Sequence, residues 1–375
     1  MKYETRLAQA RSSLLRQYRC SDEQLAVFRV VYALYWLYAL GVPYLGWIAE
    51  NPNFVFTPPP FLSLLITEVP HPLLLHGLSF ATLGALCSLL LGWKIYWTSI
   101  TTTFFLILTQ ALTFSFGKID HTILAVLVPF FMRNSSWGHP YSIDGNSHQP
   151  EEQASQEQSA NALFDLAIIL GFAYWTAGVV KVYGGWLDLD QIAVRSYFAT
   201  AAARGDIFAN VWLLQHFPLA EYWLFWKSLD VMTVLFECGF LVVVWRKKWL
   251  EWYVPLALLF HLTIGFVLGI TFWIHGLVFL VFFPRVSSVN HPNVERLLRP
   301  KILVVLVFPA VLWCFYFSTL SPAMPQALYS SPIQWLLTEW TDQPSHYLGM
   351  ASNSVILVLW LFFLARSSKN MSINR

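Results

Sequence analysis

The chain has 375 residues, of which 57% are hydrophobic and only 12% charged, and its formal net charge is +2. A charged fraction about half the roughly 25% usual for soluble domains, with a mean hydropathy of +0.53, argues against a soluble globular protein. The small net charge, with no basic stripe interleaved with aromatics, argues against a nucleic-acid partner.

Apolar runs near 20 residues recur from Leu25 to Ala365. They predict an all-α, polytopic integral membrane helical bundle. In chain order, residues 1–24 carry Lys2, Arg6, Arg11, Arg16 and Arg19 and no apolar signal core, so they read as a cytoplasmic N-terminal segment before a retained anchor. About ten transmembrane helices follow within a domain at 25–366: 25–47, 73–93, 95–116, 117–133, 162–183, 223–245, 250–270, 271–285, 302–320 and 350–366. Outer loops are expected at 48–72, 184–222 and 321–349, a cytoplasmic linker at 134–161 and a cytoplasmic tail at 367–375. Of the 23 Lys and Arg, 17 fall on inner segments, and the loops 48–72 and 321–349 have none. The positive-inside rule then predicts a multi-pass protein of the cell or inner membrane with both termini cytoplasmic. Many of the 18 Trp lie near span ends, as in an interfacial belt.

The linker is rich in Gln, Glu and Ser and reads as mobile. The loop 184–222 is aromatic, with a helical pattern from Asp190 to Ala203, and is expected to fold over the outer face. Loops 48–72 and 321–349 are rich in Pro and aromatics and are expected to be packed. Cys20, Cys87, Cys238 and Cys314 fall in or beside spans without a CxxC, so they read as small core residues.

Two hairpins are short. The turn from Ser115 to His121 leaves the fourth span roughly 15 residues, or about 22 Å, against a hydrocarbon thickness of about 30 Å. The turn around Thr271 to His275 is equally tight. Both outer turns would then sit below the outer surface, where polar backbone must be buried or line a watery cavity. This predicts an outer-facing vestibule.

Lys118, Asp120 and His121 share one sunken turn. Lys181 lies near the outer end of the fifth span, on a helix face with Tyr174, Ala177 and Gly178, and is followed by Gly184, Gly185 and Trp186. A charge at membrane depth needs a partner, a route to water or a function. An apolar site disfavours the charged form, so such a lysine can serve as a base; alternatively it snorkels to the headgroups. Ala173 and Ala177 also form a small-xxx-small packing face. His121 could be a base, an anion stabiliser or a structural histidine. His76, His261 and His275 lie in or near spans without metal-ligand spacing, so no metal is predicted. Arg29, Asp165 and Glu237 are expected to form an inner ion-pair cluster, and Asp230 could pair with Lys181. No nucleophile elbow, P-loop or dinucleotide fingerprint is present.

Four places together resemble a known family. Val27-Phe28-Arg29 opens the first span. Asp120-His121 starts the fourth, followed by Tyr141, Ser142, Asp144 and Gly145. Ala177-Gly178 precedes Lys181 and Trp186, and Phe260-His261 lies in the seventh span. In order and spacing, over residues 20–285, these are similar to the transmembrane module of vitamin K-dependent γ-glutamyl carboxylases, the HTTM domain. The resemblance implies that Lys181 is the base that deprotonates vitamin K hydroquinone. The reduced quinone then reacts with oxygen to give a strong base that removes a glutamate proton. It implies for His121 a part in handling the carbanion and carbon dioxide.

The chain departs from the family where Val180 replaces the first lysine of a pair, and where the β-rich domain that binds the substrate propeptide is expected to be missing. The function expected is quinone- or lipid-linked chemistry at an outer-facing site. Lys181 and His121 would be the catalytic residues. Tyr174, Ala177, Gly178 and Trp186 would lie at a quinone, and Lys118, Asp120, Asp230, His261 and His275 would give support. Two alternatives remain open: a non-catalytic membrane partner in maturation or export of a secreted peptide, acting with that peptide or another membrane protein, and a transporter. For the last, paired interrupted helices in related halves are not evident.

Overall fold

The computed structural model describes residues 2–42, 45–117, 122–139, 141–144, 152–204, 221–268, 270, 272–282, 298–320 and 350–361. Among these the fold is entirely helical. The helices are α1 (Lys2–Gln17), α2 (Asp22–Leu34), α3 (Pro60–Ser63), α4 (Pro72–Leu91), α5 (Ile95–Phe114), α6 (Thr122–Met132), α7 (Glu152–Tyr183) and α8 (Ala193–Arg204). They continue with α9 (Trp223–Val243), α10 (Lys247–Leu268), α11 (Trp273–Phe279), α12 (Pro300–Leu320) and α13 (Met350–Leu361). The chain forms two compact units, and one of the boundaries between them falls inside α7, after Leu163.

One unit holds residues 19–163 and 285–348. Its centre is the α4–α5 hairpin. Pro72 opens α4, where its missing N–H costs nothing, and the helix closes at Gly92, whose φ of 71° is the left-handed cap that glycine tolerates. Hydroxyls inside these apolar helices are satisfied locally: Ser88, Ser99 and Thr113 each donate to the carbonyl four residues back. Thr102 instead reaches across, donating to Ala85 O at 3.2 Å. Tyr32 on α2 donates to Ala125 O of α6 at 2.8 Å, and Tyr38 donates to Leu306 O of α12. The loop before α4 is packed, with Leu45, Ile48, Phe56 and Leu62 joining Leu75, Ala111 and Leu112 in one apolar cluster.

The other unit holds residues 1–18, 164–284 and 349–375. In it α7 lies close to α9 at two glycines. A Cβ on Gly171 would stand 3.1 Å from Leu241 Cα, and one on Gly178 would stand 3.0 Å from Cys238 N and 2.6 Å from its Sγ. Small residues thus let two backbones approach, as in membrane helix pairs generally. Tyr253 of α10 stacks on Phe236 of α9, with centroids 4.9 Å apart and planes 4° apart, and donates to Phe236 O at 2.6 Å. Trp360 of α13 donates its indole N–H to Glu251 O at 2.8 Å.

Several expected boundaries move. The first expected span, 25–47, is interrupted: its first helix runs to Leu40, the last six residues in π form, and stops at Gly41 with φ 84°, and a short 3-10 turn begins at Gly46. The second half of the expected mobile linker is ordered: α7 begins at Glu152, and Ser159 Oγ accepts from Ser136 N at 3.0 Å. Its Glu, Gln and Ala are good helix formers, so an apolar helix that follows extends backwards through them. Among the described residues three helices are long and apolar enough to cross a membrane: Pro72–Leu91, Ile95–Phe114 and Ser155–Tyr183. Thr122–Met132, Pro300–Trp313 and Met350–Leu361 are shorter apolar helices. α9 has 21 residues but carries Lys227, Asp230 and Glu237.

Candidate functional site

The charges of α9 organise the site. Lys227, Asp230 and Glu237 all lie on the buried face of that helix, where each needs a partner. Glu237 takes Lys181: the ammonium donates to Oε1 at 2.8 Å and Oε2 at 2.7 Å. The side chains are 24% and 9% exposed. The Trp186 ring centroid lies 5.3 Å from Lys181 Nζ, within cation–π range. Glu237 stands fourteen positions from Trp223 at the start of α9, about 21 Å along the axis at 1.5 Å per residue. The pair is therefore well inside α9.

The expected pairing of Asp230 with Lys181 is corrected. Asp230 lies 3.6 Å from Lys227 instead, two turns away from Glu237, and accepts from the backbone N–H of Ala193 and Val194 at 3.1 and 2.8 Å. The expected cluster of Arg29, Asp165 and Glu237 is corrected as well: Glu237 is taken by Lys181, and Arg29 donates to the carbonyls of Gly138 and Tyr141. Arg29 thereby ties α2 to the segment after α6. Asp144 in that segment accepts from Lys94 N.

Tyr174 sits two turns before Lys181 on the same helix face. Its hydroxyl bonds to His261 Nε2, and its ring stacks on Phe240 with centroids 4.4 Å apart. His261 and His275 stack with centroids 4.8 Å apart and planes 14° apart. All three are buried. The structure thus joins three residues that the sequence offered separately. Gly178 is buried and Ala177 half-buried. The room beside Gly178 is filled by Glu237 and Cys238, so that glycine brings the carboxylate within reach of Lys181. Lys118, Asp120 and His121 lie outside the described residues, with the second half of the turn joining α5 to α6.

Lys227 is a residue that the sequence reading did not single out. Its signal is spacing: 227, 230 and 237 fall at i, i+3 and i+10 in an otherwise apolar helix, one face by the 3.6 period. Among the described residues no group of three or more His, Cys, Asp or Glu is placed to hold a metal. Comparison with family models, with curated proteins and with solved structures returns no match.

Proposed function

We propose that this is a multi-pass membrane protein of the HTTM class, with both termini cytoplasmic. Lys181 acts as the base in a quinone-type or lipid-linked reaction at an outer-facing site. The observation that carries the reading is the Lys181–Glu237 contact. A lysine kept only as an interfacial anchor sends its ammonium to the headgroups; this one turns both short contacts onto a carboxylate deep along α9.

The donor set suits a reduced quinone: an amine to take a hydroxyl proton, a carboxylate to balance the ammonium that forms, and the Trp186 face as an apolar wall. Such a group, when bound, supplies an acidic hydroxyl and reducing equivalents. Lys181, whose side chain is 24% exposed, first gives its ammonium proton to water and then, as the neutral amine, takes the hydroxyl proton at Nζ. Glu237 orients the amine and offsets its charge, and Trp186 limits water at the pair, which strengthens the electrostatics there. His121 acts as acid, base or anion stabiliser. Purified protein in mild detergent, extracted with organic solvent, should yield a lipid-soluble quinone near one equivalent, with strong depletion in Lys181→Met. Quinone no higher than in a lipid-matched blank, in both proteins, would count against the reading.

A second reading is favoured by Lys227 and Asp230, a buried pair given over to backbone contacts. If Lys181 and Glu237 are a strut of the same kind, the protein is a non-catalytic partner in maturation or export of a secreted peptide. Peptide maturation that survives in Lys181→Met with Glu237→Leu would select that reading.

A further inference from the structure

We infer that Lys227 and Asp230 are positioning residues that hold residues 186–194 as a strap and so fix Trp186 against Lys181. Three observations converge. Lys227 Nζ donates to the carbonyls of Trp186, Asp188 and Gln191 at 2.6, 2.6 and 2.9 Å. Asp230, one turn on, accepts from Ala193 and Val194. The side chains are 5% and 0% exposed. At 3.6 Å from each other, the two charges make their closer contacts with the backbone, all of it within nine consecutive residues.

Both ends of that stretch matter. Its first residue carries the indole that lies on Lys181. Its last two are the opening N–H groups of α8, which Asp230 caps. Between α7 and the strap stands Gly185 at φ 77°. A Cβ there would meet Asp188 Oδ2 and Gln191 Oε1 at 2.8 Å, so the chain can make this tight return only with glycine. Leaving any of these buried groups without its partner would be costly. A lysine with three carbonyls is therefore a clamp on backbone position. The inference rests on the proposed function only for its catalytic meaning; the geometry it concerns is the cover over Lys181.

The test reads that cover directly. The full chain in membranes is treated with a small hydrophilic amine reagent, and modification of the peptide containing Lys181 is followed by mass spectrometry. In Lys227→Met the rate at Lys181 should rise roughly tenfold, as for any locally loosened segment. Trp186→Ala should give a similar rise, and the double variant no more than the larger single effect. Lys227→Arg, which keeps several donors, should restore the slow rate. If Lys227→Met fails to fold, Ala193→Pro serves. It deletes one N–H given to Asp230 at the first helical position, where proline is tolerated, and should also raise the rate. An unchanged rate in a folded Lys227→Met or Ala193→Pro variant would overturn the inference, as would full additivity with Trp186→Ala. Neither result depends on whether a quinone binds.

Discussion

Lys181 and Glu237 are each tolerable in an apolar helix pair only because of the other. Removing one partner of a buried ion pair leaves an uncompensated charge, a cost of about 3 kcal/mol or more. Glu237→Gln should therefore lower the stability of the detergent-solubilised protein by that order in a chemical unfolding titration. Lys181→Met combined with Glu237→Leu should recover most of the loss, because an apolar pair of similar volume suits this environment. A single Glu237→Gln with wild-type stability would remove the argument. Tyr174→Phe is expected to cost about 1–3 kcal/mol, the price of leaving the buried His261 Nε2 without its hydroxyl; thermal unfolding followed by near-UV absorbance would register it. Lys181 was legible in the sequence as a charge out of place, but its partner was not. Glu237 and Asp230 both lie on the sixth expected span, and choosing between them needs the offset of α7 against α9. That offset is set by the close approach at Gly171 and Gly178, which composition does not encode.

Among the elements, the α7–α9 contact carries the site, and its tolerance can be tested at one atom. Gly178→Ala places a methyl group 3.0 Å from Cys238 N and 3.1 Å from Glu237 Cβ. Backbone cannot yield as a flexible side chain can, so the helices must separate, at about 1–3 kcal/mol. Gly84→Ala on α4 meets nothing within 4 Å and should be neutral or gain up to about 1 kcal/mol from helix propensity. Equal melting temperatures for the two variants would contradict this account of the contact. The apolar helices themselves were readable: α4 and α5 lie within two residues of the expected 73–93 and 95–116. Two boundaries were not. The polar residues 152–161 have helix propensity but no apolar periodicity, so only the body of α7 reveals that they continue it. Conversely, the apolar stretch after Leu40 breaks at Gly41, where a positive φ turns the chain.

For the whole molecule, the proposed membrane topology rests on charge rather than on packing. Val55 precedes α4 and Trp93 follows it, and α4 has 20 residues, about 30 Å, enough to cross the hydrocarbon. In a background with Cys20, Cys87, Cys238 and Cys314 replaced by Ala, a cysteine at position 55 should react with an impermeant reagent added outside intact cells. One at position 93 should react only after permeabilisation. The reverse pattern would invert the orientation on which the proposed outer-facing site depends. The replacements themselves should leave folded yield largely intact, since none of Cys20, Cys87 and Cys238 is in a disulfide. The central claim, that Lys181 takes a proton from a reduced quinone, is tested most directly by an anaerobic absorbance spectrum of a reduced naphthoquinone titrated with the purified protein near neutral pH. The account predicts that the hydroquinone monoanion band grows to saturation with wild-type protein and is absent with Lys181→Arg, whose guanidinium cannot accept a proton. An anion band of equal size with Lys181→Arg, or a spectrum identical to that of the free hydroquinone with wild-type protein, would contradict it.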